Sequence, residues 1–591
     1  MKHRTPEVAT QVLSTDTLLH YLPLYSRLRE RKMALHSGVD KRVVIIGCGI
    51  SGVGAAQKLI KQGFRNVRII EATTRSGGRI KTGRLDGKII EIGANWIHGP
   101  SQENPVFRLA SHYNLLDEEC LSEENQSVDV GGIPPLLSTW LSSSGKKLEA
   151  DLMAPAVEVF TTLLTKSQEF YNTSRAPMSS VGEFLKTEAL RISNEEWKED
   201  EARKLRQALF STLLKLECGV SGTHTMDDVN LATFGMYKSL PGLDCTFPGG
   251  YEGLIRHMMN KLPKDIVLFN KTVKCIHWNS QASSKEITCP VTVECITGET
   301  FEADHVILTI PLGYMKKHHD SLLNPPLPQH KLHSIQRLGF GTNNKIFVEF
   351  EKPFWDEDCE VVFLVWEDEH DLQNPVSDMK TSWIRKMSCF TVLKPTERYG
   401  YILCGWIAGH ESEYMETLPE EEVLHTVTQL IHRFTGNPTI AIKKLVRSRW
   451  FHDPYTCGSY SYVAKDCSGE DIDNLAEPLP LSGSNAKDVR SAPESLREQT
   501  TRVKSNLVYS KQLLSELSYR TEYICNGRFF NIDRGMQECC FLTTLIQALK
   551  VRKPVQEQRG TECPASNLTS RSAVLYKVLE SNTQVKVQVS H

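Results

Sequence analysis

The run K-R-V-V-I-I at 41–46 opens into G-C-G-I-S-G at 47–52, and after a helix-like stretch the chain continues V-R-I-I-E-A at 67–72 and S-G-G-R at 76–79. An apolar strand, a G-x-G-x-x-G turn, a helix, a second strand and an acid in that order form the unit that holds the ADP half of a dinucleotide. Gly47 permits the tight strand-to-helix turn, Gly49 lets the backbone approach a pyrophosphate, and Gly52 lets helix and strand pack closely. The helix N-terminus then presents N–H groups without intrahelical partners to phosphate. Glu71, about 24 residues after Gly47 at the end of the second strand, is placed to accept ribose hydroxyls. Cys48 is small enough for the turn and reads as packing rather than redox chemistry.

Around this unit, the chain of 591 residues is too long for one simple core and fits two or three domains. With 69 basic and 71 acidic residues the formal charge is −2, which gives no reason to expect nucleic acid or a membrane surface. No stretch approaches the apolar length of a membrane span. The 16 cysteines have no repeating spacing and no C-x-x-C, which suits reduced thiols in an intracellular protein and no metal site. N-x-S/T sequons at Asn125, Asn172 and Asn567 have no secretory signal to give them meaning. Residues 1–40 read as a loosely structured extension.

Downstream, I-I-E-I-G-A-N-W-I-H-G-P at 89–100 moves from a strand into a Gly/Pro-rich loop carrying Trp96 and His98. From about 150 to 218 apolar residues recur at three- and four-residue spacing, predicting helices. V-K-C-I-H-W, V-T-V-E-C and H-V-I-L-T-I then predict strands, as do K-I-F-V-E-F, F-L-V-W-E and Y-I-L-C-G-W-I. Gly249-Gly250 precedes a helix, and E-E-E-V-L-H-T-V-T-Q-L-I-H-R-F predicts another that stops at T-G-N-P, 435–438.

The extra turn Gly77-Gly78-Arg79 favours FAD over NAD, since flavoproteins of the glutathione-reductase type often place small residues and an Arg beside the phosphates there. Taken with G-A-N-W-I-H-G-P, L-E-C-G-V-S-G-T-H-T-M-D, L-P-G-L-D-C-T-F, F-G-T-N-N-K-I-F-V-E-F, P-F-W, L-V-W-E-D and G-S-Y-S-Y, the chain resembles the polyamine oxidase group of FAD-dependent amine oxidases. Within that group it is most similar to peroxisomal N1-acetylpolyamine oxidases, with spermine oxidase as the alternative. The resemblance runs from about residue 42 to 480. It implies an α/β architecture, α+β overall, in which a Rossmann-like FAD-binding domain (41–120 and 245–312) is interleaved with a mixed sheet-plus-helices substrate domain (121–244 and 313–480).

The resemblance also implies roles. Lys345 matches the lysine that holds a water near flavin N5, His98 the loop histidine near the amine, and Tyr460 and Tyr462 the tyrosines walling the flavin face. Glu217 matches an acid that binds a distal ammonium, and Val273 the residue whose backbone meets the adenine side. Trp96 is placed with the cofactor residues Gly47, Gly49, Gly52, Glu71, Gly78 and Arg79. Trp366, by residue type a core or rim aromatic, is a candidate for substrate contact. The implied reaction passes a hydride from a carbon next to nitrogen to the flavin, so the reacting amine must be neutral, and a nearby lysine favours that form. N1-acetylspermine or N1-acetylspermidine would give spermidine or putrescine, 3-acetamidopropanal and hydrogen peroxide, in polyamine catabolism. The implied partners are a small polyamine and O2, acting on a monomer.

After Pro480 the likeness ends. Family members close with an F-A-G-E-A-T strand and a Y-S-T-T-H-G-A-x-x-S-G stretch that set backbone N–H groups against FAD. Here L-S-G-S-N-A-K-D-V-R-S-A-P-E-S follows, polar as in a disordered linker. The tail 481–591 is therefore read as atypical, with helix-like runs near 509–518 and 539–551. A second reading follows: a relative impaired in FAD retention. The chain ends Q-V-S-H and not in an S-K-L signal, leaving peroxisome or cytoplasm open.

Overall fold

Five residues, Arg42–Ile46, form the first strand (β1), four of them buried β-branched side chains that suit a pleated, enclosed position. Gly47, at φ +104°, turns the chain into the helix Ile50–Lys61 (α1). Ala55, Ala56 and Leu59 are buried on the face of α1 toward the sheet. Gly63, at φ +92°, releases the chain into Asn66–Ile70 (β2). In this computed structural model the described residues are 39–127, 138–173, 175–237, 240–278, 291–374, 378–476 and 479. Residues 1–38 of the N-terminal extension and the segments discussed after Pro480 lie outside them.

β1 is the second strand of a four-stranded parallel sheet, in the order His305–Leu308, β1, β2, Val267–Leu268. Val43 is level with His305 on one side and Val67 on the other. All three longer strands end at the same edge, where Thr309 Oγ1 donates to the carbonyls of Ile46 and Gly47 at 2.8 and 3.1 Å. Ligands of doubly wound sheets bind at this carboxyl edge. The predicted helix after Gly249-Gly250 is Glu252–Met259, packed on α1.

The second sheet has six strands, in the order Ile442–Arg447, Asn343–Phe350 (β3), Ile402–Ala408, Cys389–Val392, Val361–Val365, Ser138–Ser142. Every residue of β3 is buried, including Asn343, Asn344, Lys345 and Glu349. Both faces of the sheet are covered. Val361, Phe363 and Val365 pack with the helices Ala150–Thr173, Val181–Glu196 and Asp200–Ser221. Val362 and Leu364, pointing the other way, pack with Val427 and Leu430 of Glu420–Thr435, as the period of two in a strand requires. That helix ends at Gly436 in the left-handed conformation, φ +65°, as the T-G-N-P signal predicts.

One local expectation is corrected. Trp96–Ile97 is not loop but a short strand, because its backbone pairs antiparallel with Cys245–Thr246. None of the described helices is long and apolar enough to cross a membrane.

Candidate active site

A cavity enclosing about 1400 Å³ of space, its open mouth included, lies between the carboxyl edge of the parallel sheet and the start of β3. Gly47, Gly49, Glu71, Gly78, Arg79 and Val273, six of the predicted cofactor residues, line it together with Tyr460. The glycines are there for distinct reasons. A Cβ on Gly52 would sit 2.0 Å from the Gly47 carbonyl oxygen, so only glycine lets α1 start this close to the turn. At Gly49 a Cβ would meet no atom of the described residues within 4 Å. The space above Gly49 is therefore free for a ligand, not packing room for the protein.

Gly49 caps α1 without a side-chain hydrogen bond, and Ile50 and Ser51 line the cavity, so the helix N-terminus faces it. Glu71 is held by its own turn. The Cys48 N–H donates to Oε2 at 2.8 Å, and the Thr73 N–H and Oγ1–H donate to Oε1 at 2.8 and 2.7 Å. Each carboxylate oxygen keeps lone-pair capacity for a further donor. Burial, helped by the Glu71 charge, pushes the Cys48 thiol up to about 12. It stays protonated, in keeping with a packing role.

Arg79 lines the cavity and donates from Nη1 to the Ser459 carbonyl at 2.8 Å, tying the nucleotide unit to the segment before Tyr460. Arg75, not singled out from sequence, also lines it and holds the double-glycine turn through the carbonyls of Ser76, Gly78 and Ile80. Burial lowers its pKa from the usual guanidinium range.

At the far end, Lys345 is buried at 1 % exposure. Its Nζ donates to the carbonyls of Glu91 and Gly93 at 2.7 and 2.6 Å and lies 4.9 Å from the Trp406 ring. Gly93 and Ala94 line the cavity, so a buried cation stands directly behind that wall. Asn343 lies two residues before it on the same strand and lines the cavity itself; its Nδ2 donates to Tyr460 Oη at 2.8 Å. Tyr460 in turn donates to the Gly219 carbonyl.

His98 Nδ1 pairs with Asp244 Oδ2 at 2.7 Å, and Nε2 is buried with no hydrogen-bond partner among the described residues. Asp244 also accepts from the Gly99 N–H at 3.3 Å; burial raises its pKa, against the opposing effect of His98. Sequence reasoning quoted L-P-G-L-D-C-T-F but assigned Asp244 no part. Glu217 lies near the end of Asp200–Ser221, 1 % exposed, and among the described residues only Ser221 Oγ reaches it, at 3.5 Å. Burial pushes this carboxyl up to about 8.

The remaining candidates stand off the cavity. Trp96 stacks on Trp406 with ring centroids 5.8 Å apart. Tyr462 covers Gly339 across a two-strand ladder, where a Cβ on the glycine would lie 2.5 Å from its ring. Trp366, a candidate for substrate contact and by residue type a core or rim aromatic, is buried where the guanidiniums of Arg385 and Arg433 lie 4.4 and 4.8 Å from its ring and Phe434 packs edge-on. Two cations and a ring satisfy its faces there.

Comparison with known proteins agrees with this geometry. Residues 50–485 match the family described as flavin containing amine oxidoreductase. The peroxisomal N(1)-acetyl-spermine/spermidine oxidase of Bos taurus is 49 % identical over 456 residues, 76 % of this chain and 89 % of the relative. That of Homo sapiens is 50 % identical over 453 residues, 76 % of this chain and 88 % of the relative. A solved putrescine oxidase bound to putrescine shares the fold, with a TM-score of 0.54 at 20 % identity, covering 74 % of this chain and 92 % of that one. The open cradle at Gly49, the free α1 terminus and Glu71 fit the FAD that such enzymes carry. The chain belongs to the flavin-containing amine oxidoreductases, and FAD is its cofactor.

Proposed function

We propose that the protein is an FAD-dependent N1-acetylpolyamine oxidase. The observation that carries this reading is a cavity that joins the phosphate turn at Gly47 and Gly49 to Asn343 and Tyr460, with Lys345 behind its wall. Identity near one half to two N(1)-acetyl-spermine/spermidine oxidases, over nearly nine tenths of their length, supports the substrate class.

In this reading the N–H groups opening α1 take the pyrophosphate, Glu71 the ribose hydroxyls, and Val273 the adenine side. Bound FAD supplies a hydride acceptor and returns the electrons to O2 as hydrogen peroxide. The chain's residues set the charge state and place of the amine. Lys345 sets a positive charge behind the Gly93 wall, which disfavours a second cation beside it and so favours the neutral amine. His98, held through Nδ1 by Asp244, keeps Nε2 for a proton or a hydrogen bond on the substrate side. Glu217 stays neutral when alone at pH 7 because of its burial; an ammonium arriving beside it stabilises the carboxylate and recruits it as counter-ion. Overall, an acetylated polyamine, O2 and water give an aldehyde, a shorter amine and hydrogen peroxide.

The test is the visible spectrum of the purified chain, followed by anaerobic N1-acetylspermine in the same cuvette. Flavin bands near one equivalent that bleach on addition are expected. A protein that stays colourless with added FAD would sink this reading and leave the impaired relative.

A further inference from the structure

The ammonium of Lys345 rests on the backbone carbonyl of Glu91 at 2.7 Å, and the side chain of that same glutamate is itself buried. Glu91 ends the strand Lys88–Glu91, level with Thr82 on the strand Thr82–Leu85. Its Oε2 accepts from Thr82 Oγ1 at 2.9 Å, and its Oε1 accepts from the Tyr251 N–H at 2.8 Å. Tyr251 opens the helix Glu252–Met259 without a side-chain cap, so the Glu91 carboxylate supplies the acceptor and the charge that a helix start favours. Thr82 Oγ1 accepts the next N–H, from Glu252, at 3.2 Å. Two residues beyond Glu91, Gly93 gives Lys345 its second carbonyl, and its N–H donates to the Lys81 carbonyl at 3.0 Å. The stretch from Glu91 to Gly93 is thus pinned on one side and carries the ammonium on the other. Gly93 and Ala94 line the cavity; Glu91 stands behind them, with no part in the chemistry above.

We propose that Glu91 is the positioning residue for Lys345: its carboxylate locks the strand end that cradles the ammonium and sets the net charge behind the Gly93 wall. The inference rests on the proposed function for the part Lys345 plays beside the substrate amine. Because the ammonium sits on Glu91's own carbonyl, the reach of one glutamate side chain keeps carboxylate and ammonium within about 10 Å of each other. At that range, in buried surroundings, opposite charges shift each other's titration by on the order of one pH unit.

Burial pushes the Glu91 carboxyl up to about 7, opposed by the Tyr251 N–H, Thr82 and Lys345, while Glu252 adds to the rise. The other titratable groups around it are Tyr251 and Tyr399, whose phenols are raised chiefly by burial and so stay neutral. Lys88 of its own strand is paired with Glu349 at 2.7 Å, and Arg398, beside Tyr399, with Asp117 at 3.3 Å. The charge behind the wall therefore follows Glu91 near pH 7. An ionised Glu91 offsets part of the Lys345 charge; a neutral one leaves it whole, which disfavours a protonated substrate amine more strongly.

Two readouts test this, one of them without turnover. Melting temperature against pH is measured, with FAD added, for the full chain, Glu91→Gln, Lys345→Met and the double variant. The unfolded carboxyl titrates at 4.5 and the folded one at about 7, so between these values stability falls as pH rises. The difference between the parent and Glu91→Gln isolates this step, since Glu217 is common to all four chains. In the Lys345→Met pair the step is expected to end about one pH unit higher, because the cation that favoured ionisation is gone; an unmoved step overturns the proposal. The second readout is the pH profile of anaerobic flavin reduction by N1-acetylspermine. Glu91→Gln should shift the rising limb, where the amine loses its proton, down by on the order of half a pH unit, which a purely structural role would not do. An unshifted limb overturns the proposal as well. Thr82→Val, which withdraws one donor from the carboxylate, shifts the limb the same way by less and carries the test where Glu91→Gln does not fold. The melting step needs no amine oxidation, so failure of the functional reading is seen separately, as a parent flavin that N1-acetylspermine does not bleach.

Discussion

Lys345 holds two buried carbonyls, and the proposed mechanism gives the same ammonium a part in the chemistry. Its ammonium satisfies two buried carbonyls, those of Glu91 and Gly93, and leaving them bare costs about 1–3 kcal/mol. Lys345→Met is expected to lower the melting temperature and to slow anaerobic flavin reduction by about a hundredfold, read by stopped-flow absorbance; unchanged reduction would remove Lys345 from the chemistry. Glu217 gives a pH signature with a definite sign. Its carboxyl titrates at 4.5 unperturbed and at about 8 in the fold, so below pH 4.5 both states carry the proton and there is no difference. Between those values the unfolded chain releases the proton and the folded chain keeps it, so stability falls as pH rises, by on the order of 5 kcal/mol in full. Glu217→Gln should flatten this slope, measured as melting temperature at pH 5 and pH 8; an equal slope in the variant would place the pH dependence elsewhere. What the sequence disclosed at this scale depended on the range of the interaction. Glu71 was legible because its partners, Cys48 and Thr73, lie within its own βαβ unit. Asp244 was not, since the histidine it holds is 146 residues away. For Trp366, a candidate for substrate contact, the motif could not reveal the two arginines that arrive from other elements to pack on its ring.

At the scale of elements, the turn between β1 and α1 separates folding from binding. Gly52 is fixed by contact with the protein's own backbone, Gly49 by room for a ligand. Gly49→Ala should therefore fold with an apo melting temperature near that of the parent while losing FAD affinity, and Gly52→Ala should lose both. Flavin content after dialysis and thermal unfolding without FAD check the pair; normal flavin content in Gly49→Ala would refute the placement of the pyrophosphate. The longest helices and the enclosed strand β3 were legible from periodicity, and the Gly436 stop from its turn residues; Ser138–Ser142, Cys389–Val392 and Ile442–Arg447, half of the second sheet, were not read as strands. Trp96–Ile97 was read as loop, because a two-residue strand has no period of its own and exists only through its partner, Cys245–Thr246.

For the whole molecule, the cavity is walled by segments that no local motif connects: the turn near Gly47, the stretch around Val273, Thr309 to Tyr314, and Trp450 to Tyr460. A ligand bridging all of them binds only the folded chain, so FAD at a hundredfold excess over its Kd should add about 2.7 kcal/mol of stability. A thermal-shift titration measures it, and no shift would mean that the walls do not share one ligand. The same non-local construction sets a clock on biosynthesis. Arg42 and its partner Asp304 are 262 residues apart, a gap that a ribosome working at about 5–20 residues per second takes roughly 13–52 s to cross. During that interval the first βαβ unit is out of the exit tunnel with one side of β1 bare, and the wall formed by Trp450 to Tyr460 has not yet been made. Flavin capture is thus a late event, after most of the described chain has left the ribosome.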